Sequence, residues 1–185
     1  FYVRRMKTET TKNRFLGDKL DIFQFTGGFR GTTDSVLLAA SVEASSGDKV
    51  LELGCGVGVG LCCLLFRLAG LEAYGIEIDS KAAHLCKENL KINQMNATII
   101  NSDLSDKAIM INKMSFDHIF MNPPFFKEGM VKKIANRSIS MAKIEVLKLD
   151  SWIDLASKRC RPKGKITIIQ RSDRLPEILS LLKES

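Results

Sequence analysis

A short apolar run, Lys49-Val50-Leu51-Glu52-Leu53, breaks directly into Gly54-Cys55-Gly56-Val57-Gly58. No other stretch constrains the fold as strongly. A buried strand that ends on glycines needs a tight turn, and glycine is the residue that makes one without steric cost. Gly58 to Leu68 then reads as a helix, with Gly70 placed just past its end. The same unit recurs. Ala73–Ile78 reads as a strand, followed by a helix from Ser80, its expected N-cap, to about Ile92, with Ala83, Leu85, Cys86 and Leu90 as apolar positions. Ala97–Ile100 and Phe116–Met121 are a third and a fourth strand. Asp150 is expected to cap a helix running to Cys160, Arg161-Pro162-Lys163-Gly164 to make a turn, and Lys165–Gln170 to form a fifth strand. A final helix follows Asp173, and another, opened by Thr33/Asp34, precedes the first strand. Strands alternating with helices imply an α/β fold: a doubly wound, mostly parallel sheet with helices on both faces. Residues 1–185 are expected to form one domain, with a basic segment and a helix over 1–48 and the core over 49–185.

Composition narrows the function classes. With 45% hydrophobic and 26% charged residues, the chain is neither disordered nor collagen-like. Its longest charge-free run, Leu53 to Phe66, contains four glycines and falls short of the ~20 apolar residues a spanning helix needs. The five cysteines (Cys55, Cys62, Cys63, Cys86, Cys160) show no Cys-x-x-Cys spacing, and His84 and His118 are the only histidines. Neither a zinc site nor a disulfide framework is expected; buried thiols in a reducing cytoplasm are. The net charge of +7 is uneven. Residues 1–30 and 127–174 are basic and the stretch between them is acidic. Basic segments attract polyanions by releasing counterions, which suggests a polyanionic partner; a merely solvated basic surface is the alternative.

Open α/β sheets bind ligands beyond the carboxyl ends of their strands, and three such ends carry unusual residues. The dinucleotide fingerprint would need glycines at 54, 56 and 59, but position 59 is Val59, so a pyrophosphate role loses support. Glu77 lies 23 residues beyond Gly54, near the spacing of an acid that accepts from ribose hydroxyls. Ribose recognition without pyrophosphate is the pattern of an adenosyl ligand; a plain surface acid is the alternative for Glu77 alone. After the third strand, Asp103 offers a carboxylate to an adenine amino group.

Asn122-Pro123-Pro124-Phe125 follows the fourth strand. Two prolines fix the backbone and remove two N–H donors, which leaves carbonyl acceptors exposed. The Asn122 side-chain oxygen and the Pro123 carbonyl can accept both hydrogens of a planar amino group, with Phe125 stacked on the base. An exocyclic amine held in this way aims its lone pair at an electrophilic methyl group, so catalysis is orientation and electrostatics. As a bare tetrapeptide the motif also reads as a strand-ending turn.

In this order and spacing, VLELGCGVGVG, GIEID, NSD and NPPF resemble the class I S-adenosylmethionine-dependent methyltransferases that carry an Asn-Pro-Pro-Phe/Tyr motif. The resemblance runs from about Phe25 to Leu182. GFRGTTDSVLLAA, ahead of the glycine loop, is similar to the bacterial family of tRNA adenine-N6 methyltransferases, which act beside the anticodon of a valine tRNA; RSDRLPEIL points the same way less specifically. The resemblance implies that Glu52, Gly54 and Gly56 line the methionine half of S-adenosylmethionine. It further implies that Glu77 holds the ribose, Asp103 the adenine, and Asn122, Pro123, Pro124 and Phe125 the substrate amine, with Asn122 also beside the cofactor. Thr33 and Asp34 match the segment near the cofactor and substrate mouth, an N-cap role being the alternative for either. Class I enzymes end on an antiparallel strand pair, which this chain, stopping at Ser185, is expected to lack. The basic stretch with Lys127, Lys132, Lys133, Arg137 and Lys143 is expected to be a substrate loop or a solvated surface.

Other substrates fit the same motif. A protein glutamine amide is one, although enzymes of that kind usually carry an N-terminal helical domain, for which the residues before the first strand leave no room. Guanine N2 in ribosomal RNA is another. A binding module without catalysis is disfavoured by the intact set of Glu52, Gly54, Gly56 and Glu77.

Overall fold

The structure, a computed structural model, describes residues 9–27, 30–106, 110–127, 144–145 and 148–184. It opens on an antiparallel hairpin, β1 (Thr10–Phe15) and β2 (Leu20–Phe25), which the sequence reading left as a plain basic segment. In β2 Leu20, Ile22 and Gln24 are buried while the residues between them are only half-buried, but with Gln24 on the buried face and Phe23 and Phe25 on the other the sequence itself does not alternate in polarity. Helix α1 (Thr33–Ser41) follows, then β3 (Lys49–Leu53), α2 (Val59–Arg67), β4 (Glu72–Glu77), α3 (Ser80–Ile92) and β5 (Thr98–Asn101). A 3-10 turn at Met110–Lys113 leads into β6 (Phe116–Met121). Two short strands, β7 (Phe126–Lys127) and β8 (Ile144–Glu145), pair in parallel. The chain continues through α4 (Leu149–Arg159), β9 (Cys160–Ile168) and α5 (Leu175–Glu184).

Five strands form the central sheet in the order β5-β4-β3-β6-β9, and all of its pairings are parallel. The expected doubly wound architecture is therefore present. The order runs outward in both directions from between β3 and β6, which makes that boundary the topological switch point where such sheets open a crevice for ligands. Side-chain alternation divides the core into two layers. Val50, Ala73, Ile99 and Phe120 pack with α1, α2, α3 and the hairpin. Leu51, Leu53, Ile76, Ile119 and Met121 pack with α4 and α5 on the other face.

Local details differ from the sequence reading at four places. Thr32, rather than Thr33 or Asp34, caps α1, accepting from the Asp34 N–H. Asp79, rather than Ser80, caps α3, since its longer side chain reaches the N–H groups of Lys81 and Ala82. Helix α4 starts at Leu149 with Lys148 at its N-cap, so Asp150 sits inside the first turn, where a negative charge meets the helix dipole. The expected turn at Arg161–Gly164 is an irregularity within β9: its pairing with β6 skips from Cys160 to Lys165, and Lys163 takes a left-handed φ of 67°.

The hairpin is held by asparagines. Asn89 and Asn93, one turn apart on α3, face the free edge of β2. Asn89 Oδ1 accepts from the Phe23 N–H at 2.8 Å, and its Nδ2 donates to Phe23 O and Val57 O, both at 2.9 Å. Asn93 repeats the pattern on Asp21, with contacts of 3.0 and 2.8 Å. Two side chains thus do for β2 what a third strand would. Asn89 is fully buried and also ties the hairpin to the glycine loop. Asn89→Leu keeps the volume and strands these groups, so it is expected to cost about 2 kcal/mol, ~5 °C in melting temperature. Thermal melts check this; an unchanged melting temperature would place the hairpin's anchorage elsewhere. Among the described residues no helix is long and apolar enough to cross a membrane.

Candidate functional site

Every sheet-borne residue singled out in the sequence lies at the same edge of the sheet, because parallel strands present all their carboxyl ends together. Along that edge stand the segment after β5 with Asp103, Glu77 at the end of β4, the glycine loop after β3, and Asn122 after β6. The loop and the Asn-Pro-Pro-Phe segment face each other across the switch point.

Glu77 reaches from its own strand to the neighbouring loop. Its Oε2 accepts from the Gly56 N–H at 2.8 Å and its Oε1 from the Asp79 N–H at 2.9 Å. Each oxygen keeps a further lone pair, so two hydroxyl donors still find acceptors there. Burial raises the Glu77 carboxyl above its ordinary value, and the two N–H donors oppose that rise. Gly56 has a φ of 55°, and a Cβ built on it would meet nothing within 4 Å. The loop therefore turns back beneath open space, where a ligand can approach the backbone.

Glu52 lies on the α2 side of β3, only 5% exposed, with Oε2 buried and without a partner among the described residues. The Leu61 N–H in the first turn of α2 donates to this carboxyl. A Cβ on Gly60 would lie 2.3 Å from Glu52 Oε1, so the fourth glycine of the run exists to let helix and carboxyl approach. Burial pushes the Glu52 carboxyl well up, Cys86 and Glu77 add to the rise, and the Leu61 donor opposes it. The folded chain therefore keeps this proton to higher pH than the unfolded chain, whose carboxyl has the ordinary value of 4.5. The raised value means that stability is fully present below 4.5 and is lost as pH rises through the folded value. Glu52→Gln should consequently melt above the wild type at pH 8, and the gap should close toward pH 4.5. Melting curves across that range check it; a gap independent of pH would contradict the buried-carboxyl account.

Asp103 is exposed and held in a local turn, its Oδ1 accepting from the Ser105 N–H and hydroxyl at 2.8 Å each. Asn101 Nδ2 donates to the carbonyls of Glu77 and Ile78, which fastens this segment to the end of β4. Thr33 and Asp34 stand at the start of α1. Two residues earlier, Gly31 packs so closely on Val59 that a Cβ would fall 2.4 Å from it, which brings this helix start beside that of α2. Thr33 is exposed and Asp34 half-buried, and among the described residues neither side chain touches the strand-end residues, so the structure does not bring these two together with the rest of the candidate site.

On the other side of the switch point, Asn122 Oδ1 is buried and has no hydrogen-bond partner among the described residues. Pro123 is buried, and Pro124 and Phe125 are half-buried. Three residues that matter to this geometry escaped the sequence reading. Gly60 carries the contact just described. Trp152, the only tryptophan, places its ring edge against Gly54, 2.5 Å from where a Cβ would stand, and thus supports the loop from the opposite face. Gln170 donates to the Pro123 and Pro124 carbonyls at 3.2 and 3.3 Å. Only the last had a readable signal, a polar residue ending an apolar strand. Of the basic stretch, Lys132, Lys133, Arg137 and Lys143 lie outside the described residues, and of Lys127 only the backbone is described.

These features fit an adenosyl ligand: an open cradle over Gly56, a carboxylate with spare acceptor capacity, and orphaned buried oxygens on Glu52 and Asn122. Comparison with known proteins agrees. A family model described as the methyltransferase small domain matches residues 30–179. A tRNA1(Val) (adenine(37)-N6)-methyltransferase of Porphyromonas gingivalis is 30% identical over 168 residues, 86% of this chain and 66% of that protein. A relative of the same description from Shewanella baltica is 28% identical over 154 residues, 80% of this chain and 64% of that protein. This chain thus spans somewhat less than two thirds of the length of these curated relatives. Among solved structures, the T. thermophilus 16S rRNA N2 G1207 methyltransferase, in complex with AdoMet and guanosine, superposes with a TM-score of 0.68 at 24% identity, covering 95% of this chain and 45% of that one. A methyltransferase from Pyrococcus furiosus gives 0.65 at 18% identity, covering 89% and 77%. At those identities the likeness is one of fold.

Proposed function

We propose, from the premise that this chain belongs to the methyltransferase small domain family, that it methylates the N6 amino group of an adenine in tRNA with S-adenosylmethionine as donor. The observation that carries this reading is the orphaned Asn122 Oδ1 beside the Pro123 carbonyl at the switch point. A buried acceptor without a partner costs about 1–3 kcal/mol, and an amino hydrogen of the substrate removes that cost. Two acceptors match the two hydrogens of an exocyclic amine, and Phe125 offers its ring to the base, which reaches the site by leaving its stack. The curated relatives, named as tRNA adenine-N6 methyltransferases, support adenine in tRNA as the substrate class.

When bound, S-adenosylmethionine supplies a methyl group on cationic sulfur, which departs as a neutral thioether while the amine lone pair forms the N–C bond and the surplus proton passes to water. The chain's own residues do the binding and aiming. Glu77 accepts from the ribose hydroxyls, Asp103 from the adenine amino group, and Gly54 and Gly56 open the backbone to the methionine portion beside Glu52. Thr33 and Asp34 border the mouth. Asn122 and Pro123 hold the substrate nitrogen with its lone pair toward the methyl carbon, so acceleration comes from orientation and fixed dipoles.

RNA phosphates would be met by the basic segments 1–30 and 127–174. Lys158, Arg161, Lys165, Arg171 and Arg174 pair with carboxylates, as do Lys12 and Arg14. The same segments also carry Arg4, Arg5, Lys7, Lys127, Lys132, Lys133, Arg137 and Lys143, which add to the positive charge offered to RNA. A cytoplasmic setting, in which the five free thiols stay reduced, goes with such a substrate. Label transfer from S-adenosylmethionine with a radioactive methyl group, offered to unmodified tRNA and to a protein extract side by side, tests the proposal. Label in tRNA is the expected result; label in protein alone would make a glutamine amide the substrate.

A further inference from the structure

The geometry points to Gln170 as the positioning residue of the amine site, the side chain that aims the Pro123 carbonyl at the substrate nitrogen. This rests on the reading of the site as an amino-group methyltransferase. The β6–β9 ladder runs in register to Met121 and Ile168, and the Ile169 N–H extends it with a bond to Met121 O at 3.1 Å. Beyond that point the partner segment contains Pro123 and Pro124, which have no N–H to give, and their carbonyls project from an irregular turn. Gln170 continues the ladder with its side chain. Its Nε2 donates to Pro123 O at 3.2 Å and to Pro124 O at 3.3 Å. Its Oε1 accepts from the Arg171 N–H at 2.9 Å, an arrangement that turns the amide so that its NH2 group faces both carbonyls.

A carbonyl oxygen has two lone pairs. With Gln170 on one of them, the Pro123 oxygen has one direction left for a donor, and the orphaned Asn122 Oδ1 on the adjoining residue supplies the second acceptor. Without Gln170 the two carbonyls carry no side-chain donor at this end of β9, and the Pro123 dipole swings with the loop. The gain lies in orientation of the bound amine rather than in its affinity, because the same acceptors are present either way. Gln170 does not touch the reacting atoms; it acts through Pro123.

Two variants separate positioning from a merely structural role. Gln170→Met keeps length and volume and deletes the donor. It should lower the single-turnover rate of methyl transfer by about 10-fold, with S-adenosylmethionine affinity, substrate KM and melting temperature unchanged. Gln170→Glu sets a carboxylate against two carbonyls and should lose more at pH 8. Its rate relative to wild type should recover as pH falls toward 6, where a protonated carboxyl again donates a hydrogen bond. Rates are measured on whichever amine the wild type methylates, tRNA or glutamine amide. Full-rate Gln170→Met, or a Gln170→Glu profile parallel to wild type, overturns the role of Gln170 and leaves the functional reading standing. Loss of rate only in step with melting temperature and cofactor affinity overturns it as well. Wild-type label in protein alone, with both variants impaired as described, overturns the adenine reading and supports the inference; label in no amine overturns both.

Discussion

Asn122→Ala is expected to lower the single-turnover rate of methyl transfer by about 100- to 1,000-fold, with cofactor affinity within about two-fold of wild type. The size follows from the position of its oxygen. Asn122 Oδ1 is buried, next to the Pro123 carbonyl, and unpaired among the described residues, which leaves an acceptor for the substrate amine. Alanine leaves the amine one acceptor in place of two, and the nitrogen is then free to rotate its lone pair away from the methyl carbon. Cofactor affinity is spared because the carboxylate and glycine-loop contacts belong to β3 and β4, across the switch point from Asn122. Rapid-quench single turnovers and equilibrium dialysis give the two numbers separately. Equal losses in both would move Asn122 from the amine to the cofactor.

Glu77→Ala should have the complementary effect, weakening S-adenosylmethionine by about 100-fold while the rate of the bound complex changes little. The residue does two jobs at once. In the proposed reading it offers the ribose a pair of acceptors, and through the Gly56 N–H it holds the glycine loop in place. Glu77→Gln separates them: it retains one oxygen for a backbone donor but loses the charge, so its affinity should fall between those of wild type and Glu77→Ala. Trp152, alone of its kind and packed on Gly54, supplies an intrinsic fluorescence signal for the titration. Unchanged affinity in Glu77→Ala would return Glu77 to the status of a surface acid.

The sheet and the shared edge on which the candidate site residues stand were legible in the sequence because those residues sit where strand patterns end. Apolar runs at Lys49–Leu53, Ala73–Ile78 and Phe116–Met121, each followed by glycines, acids or Asn-Pro-Pro-Phe, give both the sheet and the edge that carries the site. Contacts that depend on what lies opposite were not legible. Asn89 reads as one more polar helix residue until β2 is placed against it. Gly60 reads as loop flexibility, whereas its reason is the Glu52 carboxyl buried under α2. The hairpin was missed because its exposed strand, Thr10–Phe15, is polar up to Phe15 and offers no period to detect. Caps moved by a residue or two, since Thr32 and Thr33, like Asp79 and Ser80, are all competent and only the backbone path chooses between them.

The central claim is that the acceptor pair of Asn122 and Pro123 takes the N6 amine of adenine. Its most direct test is the identity of the methylated nucleoside. Unmodified total tRNA labelled by the wild-type protein is digested to nucleosides and resolved by chromatography, with Asn122→Ala in parallel. Label recovered as N6-methyladenosine, and absent with the variant, is the predicted result. Label in N2-methylguanosine, or label in tRNA that survives Asn122→Ala undiminished, would contradict it.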